Sequence, residues 1–315
     1  MIISASRRTD IPAFYSKWFM ERIKAGFYVK VNPFNAKQKM VVSLSPEDVD
    51  CIVFWTKNPK PLMPHLSMLD KLGYNYYFQF TVNDYPKELE PALPSIKSRV
   101  KIFQELSKKI GKQKVIWRYD PIIVSNRTTV DDHILRFQTL ADQLSPYTHH
   151  VVISFVDMYG KTKNKFRKIE ENHGLEFLDL KELEHKEKLL FLTTKLARIA
   201  EKRNLEITTC AEKINLDQVG IGHGACIDKD LIGKLFHQEL YQKKDKNQRN
   251  ECLCVESEEM GMYDTCKFNC TYCYAVRSEK IVSKNVEKHN YKSPQLIGEV
   301  KEEELELYFQ LKLFD

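Results

Sequence analysis

The sequence predicts an α/β protein built as a parallel (β/α) barrel, full or incomplete, and three observations predict it. Short β-branched and aromatic runs recur along the chain; each ends in a cluster of polar residues; and segments with helical spacing lie between them. Strand, polar turn and helix repeated about six times is the pattern of parallel βα units. A doubly wound sheet is the other architecture made from such units. In both, ligands meet the carboxyl ends of the strands, so the polar clusters there are the place to look for chemistry.

The elements follow in order. IISAS precedes Arg7 and Arg8, CIVFW precedes Thr56 and Lys57, YYFQF precedes Thr81, and VIW precedes Arg118. HHVVISF then runs into Asp157, and LEITT into Cys210. Helical spacing is read in PAFYSKWFMERIKAG, PEDVD, PLMPHLSMLDKLG, SIKSRVKIFQELSKKIG and TVDDHILRFQTLADQL, with LKELEHKEKLLFLTTKLARIAEKR the longest. Beyond Cys210 periodicity fades, and the stretch to residue 264 mixes Gly, Asp, Lys and Gln. Residues 1–212 are therefore expected to supply the (β/α) units. Residues 213–315 form a cysteine-rich segment that completes the same barrel domain. The final EEELELYFQLKLF is expected to be a helix or strand packed on it.

Lys and Arg exceed Asp and Glu by 49 to 43, and the signs alternate along the chain, a balance too even to predict nucleic-acid binding. No apolar run approaches the ~20 residues that span a bilayer, and MIISASRRTDIP lacks the pattern of a secretory leader. A cytoplasmic protein with no membrane partner is expected. Eight cysteines fit that setting as metal ligands rather than disulfides, because three of them crowd into Cys266–Cys273. Cys51, at the head of CIVFW, reads as an inert core thiol.

The segment Cys266-Lys-Phe-Asn-Cys270-Thr-Tyr-Cys273 lets one loop present three thiolates to one cubane, leaving the fourth iron without a ligand from the motif. An open metal position is what a catalytic site keeps for substrate. A zinc site completed by a fourth ligand and a four-thiolate electron-transfer cluster are the alternatives. CX3CX2C with Tyr272 before the last cysteine resembles the cluster loop of the radical S-adenosylmethionine superfamily. The resemblance implies an enzyme with a [4Fe–4S] cluster on Cys266, Cys270 and Cys273. S-adenosylmethionine would bind the unique iron and be cleaved to a 5′-deoxyadenosyl radical that abstracts hydrogen from an unknown substrate. Tyr272 would lie near the adenine, and an electron donor such as a flavodoxin or ferredoxin would be required.

In that superfamily the loop follows the first barrel strand, whereas here it lies near the C-terminus, so the resemblance implies a permuted strand order. The strand before Asp264 takes the first place and IISAS the next. SRRTD then stands where the superfamily has a Gly-Gly-Glu type motif, which makes Arg7, Arg8, Thr9 and Asp10 candidates for the aminocarboxylate, Asp10 for the ammonium and an Arg for the carboxylate. The words SASRRTDIPAFY, NPFN, VFWTKNP, WRYDP, GACID and DTCKFNCTYCYA also resemble the domain-of-unknown-function family eighteen-forty-eight over nearly the whole chain. That family brings no substrate with it.

Cys210, Cys226, Cys252 and Cys254 are enough for an auxiliary [4Fe–4S] cluster or a zinc, with His223, His237 and Asp228 as substitute ligands, or for no metal at all. Lys57, Arg118 and Asp120 are the residues expected to act on substrate. Asn58, Tyr119, Asp157, Tyr159 and Glu212 stand at the same strand ends. Trp55 and Trp117 are expected to pack rather than to stack on a ligand. Two other readings remain: a metal-binding or electron-transfer module, and a nucleic-acid modification or repair protein.

Overall fold

The structure, a computed structural model, describes residues 1–301, 303 and 305, Tyr159 excepted; the expected terminal element and Tyr159 lie outside the described residues. By their internal packing these residues divide into two compact units. The first comprises Met1–Tyr76, Ser257–Lys267 and the described residues from Ala275; the second comprises Tyr77–Glu256 and Phe268–Tyr274.

The first unit carries three parallel strands in the order β12-β1-β4. β1 (Ile2–Ala5) is buried throughout, and its polar end feeds α1 (Ile11–Phe14) and α2 (Ser16–Ala25). The helical segment expected from Pro12 to Gly26 thus breaks at Tyr15. There the phenol leaves the helix to donate to the Thr265 carbonyl at 2.6 Å. A hairpin of β2 (Phe27–Asn32) and β3 (Asn35–Ser43) follows, turning at NPFN. PEDVD is no helix: Asp48 accepts from Ser43 Oγ at 2.5 Å and donates to the Ser45 carbonyl, and five residues are too few to nucleate a helix against those bonds. β4 (Cys51–Thr56) pairs with β1 in register from Ile2–Cys51 to Ala5–Phe54. Cys51 is fully buried in it. Next comes α3 (Leu66–Lys71).

The second unit carries five parallel strands in the order β5-β6-β8-β10-β11. They are β5 (Tyr76–Thr81), β6 (Val115–Ile122), β8 (His150–Phe155), β10 (Glu206–Cys210) and β11 (Gly222–Gly224), with a short antiparallel pair of β7 (Val124–Ser125) and β9 (Phe177–Leu178). Between them lie α4 (Ile96–Ile110), α5 (Val130–Leu144), α6 (Gly160–His173), α7 (Lys186–Glu201) and α8 (Lys229–Phe236). Thr129 and Asp132 close a reciprocal capping box that starts α5, as Ser95 caps α4. α5 lies between α4 and α7, and Phe137 of α5 stacks on Trp117 at 4.9 Å. Trp117 is therefore a packing residue, its indole N–H satisfied by the Val82 carbonyl.

All six strands read from the sequence are strands, and the architecture is mixed α/β with eight parallel strands. β12 (Glu258–Glu259) pairs parallel with β1 at Ile3–Glu258 and Ser4–Glu259. The strand before Asp264 and the N-terminal strand are therefore neighbours. α9 (Glu279–Val286) follows the cysteine loop. Among the described residues no helix is long and apolar enough to cross a membrane.

Candidate functional site

In the first unit, the SRRTD turn at the end of β1 lies against the stretch that leads into the cysteine loop. Arg7 donates its backbone N–H to Glu259 at 3.2 Å and its Nη2 to Ser257 Oγ at 3.1 Å, while Arg8 stacks over the Tyr263 ring at 4.8 Å. Glu259 is almost wholly buried and also accepts from Ser4 Oγ and the Gly261 N–H. No sequence signal marked it, since it is one of three acidic residues in VESEEM and only the strand pairing turns it inward. The approach is tight: a β-carbon at Gly261 would sit 1.9 Å from Ser6 Oγ, so glycine is required there by space.

Asp10 is 4% exposed, and its oxygens accept from Ala13 N, Thr56 Oγ1 and Lys57 N at 2.9, 2.8 and 2.7 Å. It caps α1 and ties the end of β1 to the end of β4, so three protein donors already occupy the carboxylate that the sequence suggested for an ammonium. Burial pushes its pKa up to about 7 despite those donors. Lys57 enters this knot through its backbone; Asn58 accepts from Lys60 N. Thr9 differs, because its buried hydroxyl oxygen has no partner among the described residues.

The loop itself is pinned at its base. Asp264 donates its N–H to the Ala275 carbonyl at 2.8 Å, and its carboxylate receives Arg277 N and Nε at 2.5 and 2.7 Å. Asp264 and Asn269 take positive φ, which tightens the chain on either side of Cys266. Cys266 belongs to the first unit and Cys270 and Cys273 to the second. In the second unit Cys273 donates its N–H to the Cys270 carbonyl, and Lys165 Nζ caps the Cys273 carbonyl at 2.9 Å. Tyr272 is buried, donates to Glu90 Oε1 at 2.5 Å and meets Tyr85 edge-on; Glu90 in turn pairs with Arg99 at 3.3 Å. Glu90 was not singled out in the sequence.

β6 runs past VIW to Ile122, so Arg118 and Asp120 share one face and Tyr119 the other, where its hydroxyl meets His133 of α5 at 2.8 Å. On the first face Arg118 Nε and Nη2 hold one oxygen of Asp120 at 2.9 and 2.8 Å, and Ser154 of β8 donates to the other. Arg118 Nη1 reaches Cys226 Sγ at 2.6 Å. Tyr77 and Gln79 of β5 donate to the Cys226 carbonyl at 2.6 and 2.9 Å. Cys210 Sγ lies 2.8 Å from Cys226 Sγ, and Cys254 contacts both Cys226 and Cys252 through sulfur. Cys210 and Cys226 are thus adjacent, but among the described residues no three of the four cysteine sulfurs set apart in the sequence lie within 4.8 Å of one another. Asp228 instead caps α8, His237 ends that helix, and exposed His223 meets Thr209 at 3.4 Å.

Glu212, just past β10, is 5% exposed and accepts the Phe155 N–H at 2.8 Å. Burial lifts its pKa to about 7, which poises a carboxyl to take or give a proton near neutrality. Asp157 is held by Lys181 and by Arg249 Nη2 at 2.6 Å. The site in this unit is therefore a polar sheet face that carries the Arg118 guanidinium, the Asp120 and Glu212 carboxylates and the adjacent thiols of Cys210 and Cys226.

A family model, described as Domain of unknown function (DUF1848), matches residues 2–275. No curated protein matches the chain. Among solved structures, the crystal structure of a candidate alpha-L-fucosidase from Bacteroides thetaiotaomicron VPI-5482 is similar at 10% identity over 79% of this chain and 84% of that one. Its TM-score of 0.25 is too low to carry an argument about fold or chemistry.

Proposed function

The chain belongs to the family of that domain of unknown function, and from this premise we propose that it is a radical S-adenosylmethionine enzyme with a [4Fe–4S] cluster on Cys266, Cys270 and Cys273. The eight parallel strands would then form a (β/α) barrel whose order begins at β12. The reading is supported above all by the neighbourhood of β12 and β1, which sets the CX3CX2C loop directly after the strand that adjoins the SRRTD turn. The row of α4, α5 and α7 beside the Trp117 and Tyr119 face, with a polar face opposite, also suits a barrel wall.

Bound to that site, the cluster would supply one electron to cleave S-adenosylmethionine and so yield a 5′-deoxyadenosyl radical for hydrogen abstraction. The chain's part is to bind, orient and exclude water. Cys266, Cys270 and Cys273 would hold three of the cluster's irons and leave the fourth open to the cofactor. Thr9, with its unpartnered buried hydroxyl, is suited to receive or offer a hydrogen bond to the aminocarboxylate, beside Arg7 and Arg8. Tyr272, fixed by Glu90, gives the loop a rigid aromatic residue that would flank the adenine. Asp120 and Glu212 at the strand ends of the second unit would meet the substrate. A flavodoxin or ferredoxin would deliver the electron.

The test is iron and sulfide content of the anaerobically reconstituted chain, set against a Cys266→Ala/Cys270→Ala/Cys273→Ala variant, with product analysis after reduction in the presence of S-adenosylmethionine. The wild type should release 5′-deoxyadenosine, and the variant should lose both that product and about four irons per chain. A fully loaded wild type that releases none would overturn the reading.

A further inference from the structure

Two thiols of the second unit stand closer than unbonded atoms ordinarily rest. Cys210 Sγ and Cys226 Sγ are 2.8 Å apart, whereas even carbon atoms out of covalent contact settle at about 3.5–4.0 Å. Both are free thiols. The fold fixes the approach. Cys210 ends β10 and is the register partner of Gly224, the last residue of β11, and Cys226 lies in the bend that follows. Gly224 lets the strands come this near, since a β-carbon there would sit 2.5 Å from Thr208 Oγ1. The Cys226 carbonyl is anchored by the Tyr77 hydroxyl at 2.6 Å and by Gln79 Nε2 at 2.9 Å, so the bend holds its sulfur in place.

The two sulfurs differ in access: Cys210 is half-buried, while Cys226 is 1% exposed. Arg118 Nη1 donates to Cys226 at 2.6 Å. A negative charge shared by the pair therefore meets a buried cation on one side and, on the other, the S–H of whichever thiol keeps its proton. An accessible thiol, a second thiol in contact with it and a cation that stabilises the thiolate are what reversible sulfur oxidation requires.

We propose that Cys210 and Cys226 are a redox-active pair that cycles between dithiol and disulfide, with a hydroperoxide as oxidant and a small dithiol as reductant. This site is separate from the cluster loop and does not depend on it. The Cys210 thiolate attacks a peroxide oxygen and gives it two electrons; the O–O bond breaks, and the alkoxide or hydroxide that leaves takes up the proton the thiol released. Cys210 is then a sulfenic acid. The Cys226 sulfur attacks the Cys210 sulfur, an S–S bond forms, the S–O bond breaks, and hydroxide departs with the Cys226 proton as water. Two thiols and one hydroperoxide thus give one disulfide, one alcohol and one water, with water in place of the alcohol for hydrogen peroxide. The sulfurs need to close by only about 0.8 Å to reach the about 2.05 Å of a disulfide. Oxidation removes the negative charge that Arg118 meets at Cys226, which couples the state of the pair to Asp120 at the end of β6.

The test treats the full chain, purified anaerobically, with an equivalent of hydrogen peroxide, alkylates the remaining thiols and maps the peptides by mass spectrometry. Cys210 and Cys226 should emerge in one cross-linked pair of peptides, and dithiothreitol should restore both thiols. Cys226→Ser removes the second thiol, so Cys210 should stop at the sulfenic acid and its labelling by dimedone should rise roughly tenfold or more over wild type. Should that variant fail to fold, the wild-type map decides alone. The Cys266→Ala/Cys270→Ala/Cys273→Ala variant should form the same link, so failure of the radical reading, seen as missing 5′-deoxyadenosine, leaves this result standing. The proposal is overturned if both thiols remain open to alkylation after peroxide, if either is linked to Cys254 instead, or if a folded Cys226→Ser gains no dimedone label.

Discussion

Arg118 donates to the sulfur of Cys226 at 2.6 Å while its other two nitrogens hold a single oxygen of Asp120. One buried cation therefore serves a carboxylate at the end of β6 and a thiol in the turn after β11. Replacing it with Met keeps the bulk and removes the charge, leaving Asp120 unpaired where its side chain is only 20% exposed. Arg118→Met should lower unfolding stability by about 3 kcal/mol. Denaturant unfolding measures the effect. A variant as stable as wild type would show the guanidinium to be idle.

Asp10 should make stability fall as pH rises. Its folded pKa of about 7 lies above the ordinary carboxyl value of 3.8, so the folded chain holds a proton that the unfolded chain has released between those two points. That contribution is complete below the unfolded pKa and gone above pH 7. Asp10→Asn, which mimics the protonated carboxyl, should remove about 2–3 kcal/mol of the change between pH 5 and pH 8. Unfolding curves of both proteins at the two pH values give the comparison. An equal pH dependence in wild type and variant would rule the mechanism out. Glu212, also raised to about 7, should contribute with the same sign through Glu212→Gln.

Gly261→Ala should break the junction between β12 and β1. The added methyl would lie 1.9 Å from Ser6 Oγ and 2.6 Å from its Cβ, and Ser6 is itself committed to the Arg8 N–H at 2.9 Å. Relief requires the two strands to part or the turn to refold, at a cost of about 2–4 kcal/mol. Gly298→Ala makes a useful contrast, since its strain is local to a positive φ away from that junction. Loss of iron binding in Gly261→Ala with retention in Gly298→Ala would place the defect at the loop's approach. A Gly261→Ala protein as stable as wild type would contradict the packing.

The alternation of apolar runs and polar ends was enough to find β1, β4, β5, β6, β8 and β10, because parallel strands buried on both faces read as continuous hydrophobic runs. The hairpin of β2 and β3 escaped because its residues are mixed in polarity and few of them are buried, so no continuous apolar run marks them. β12 is only two residues long and acidic, and its place is set by pairing with β1 rather than by propensity. Motif spacing singled out Cys266, Cys270 and Cys273 without any help from the fold. The approach of Cys210 to Cys226 could not be read from composition; β10 and the β11 turn bring those two together. Glu90 and Glu259 could not be found, since an acidic residue in a polar stretch gives no sign that it will be buried against a tyrosine or a strand end.

Tyr272 and Glu90 provide the last expectation. The phenol donates to a carboxylate whose other oxygen faces Arg99, and both acidic and basic side chains are at most 3% exposed. Burial beside that negative charge holds the Tyr272 hydroxyl protonated, well above the ordinary phenol range. Tyr272→Phe keeps the ring against Tyr85 and deletes only the donor, so a buried carboxylate loses a hydrogen bond. The cost should be about 1–3 kcal/mol of stability, with iron content unchanged, because the thiols of Cys270 and Cys273 keep their backbone turn. Tyr272→Ala removes the ring as well and should cost about 3–5 kcal/mol. If Tyr272→Phe lost iron as completely as a cysteine variant, the hydroxyl would be holding the loop in shape rather than merely packing beside it.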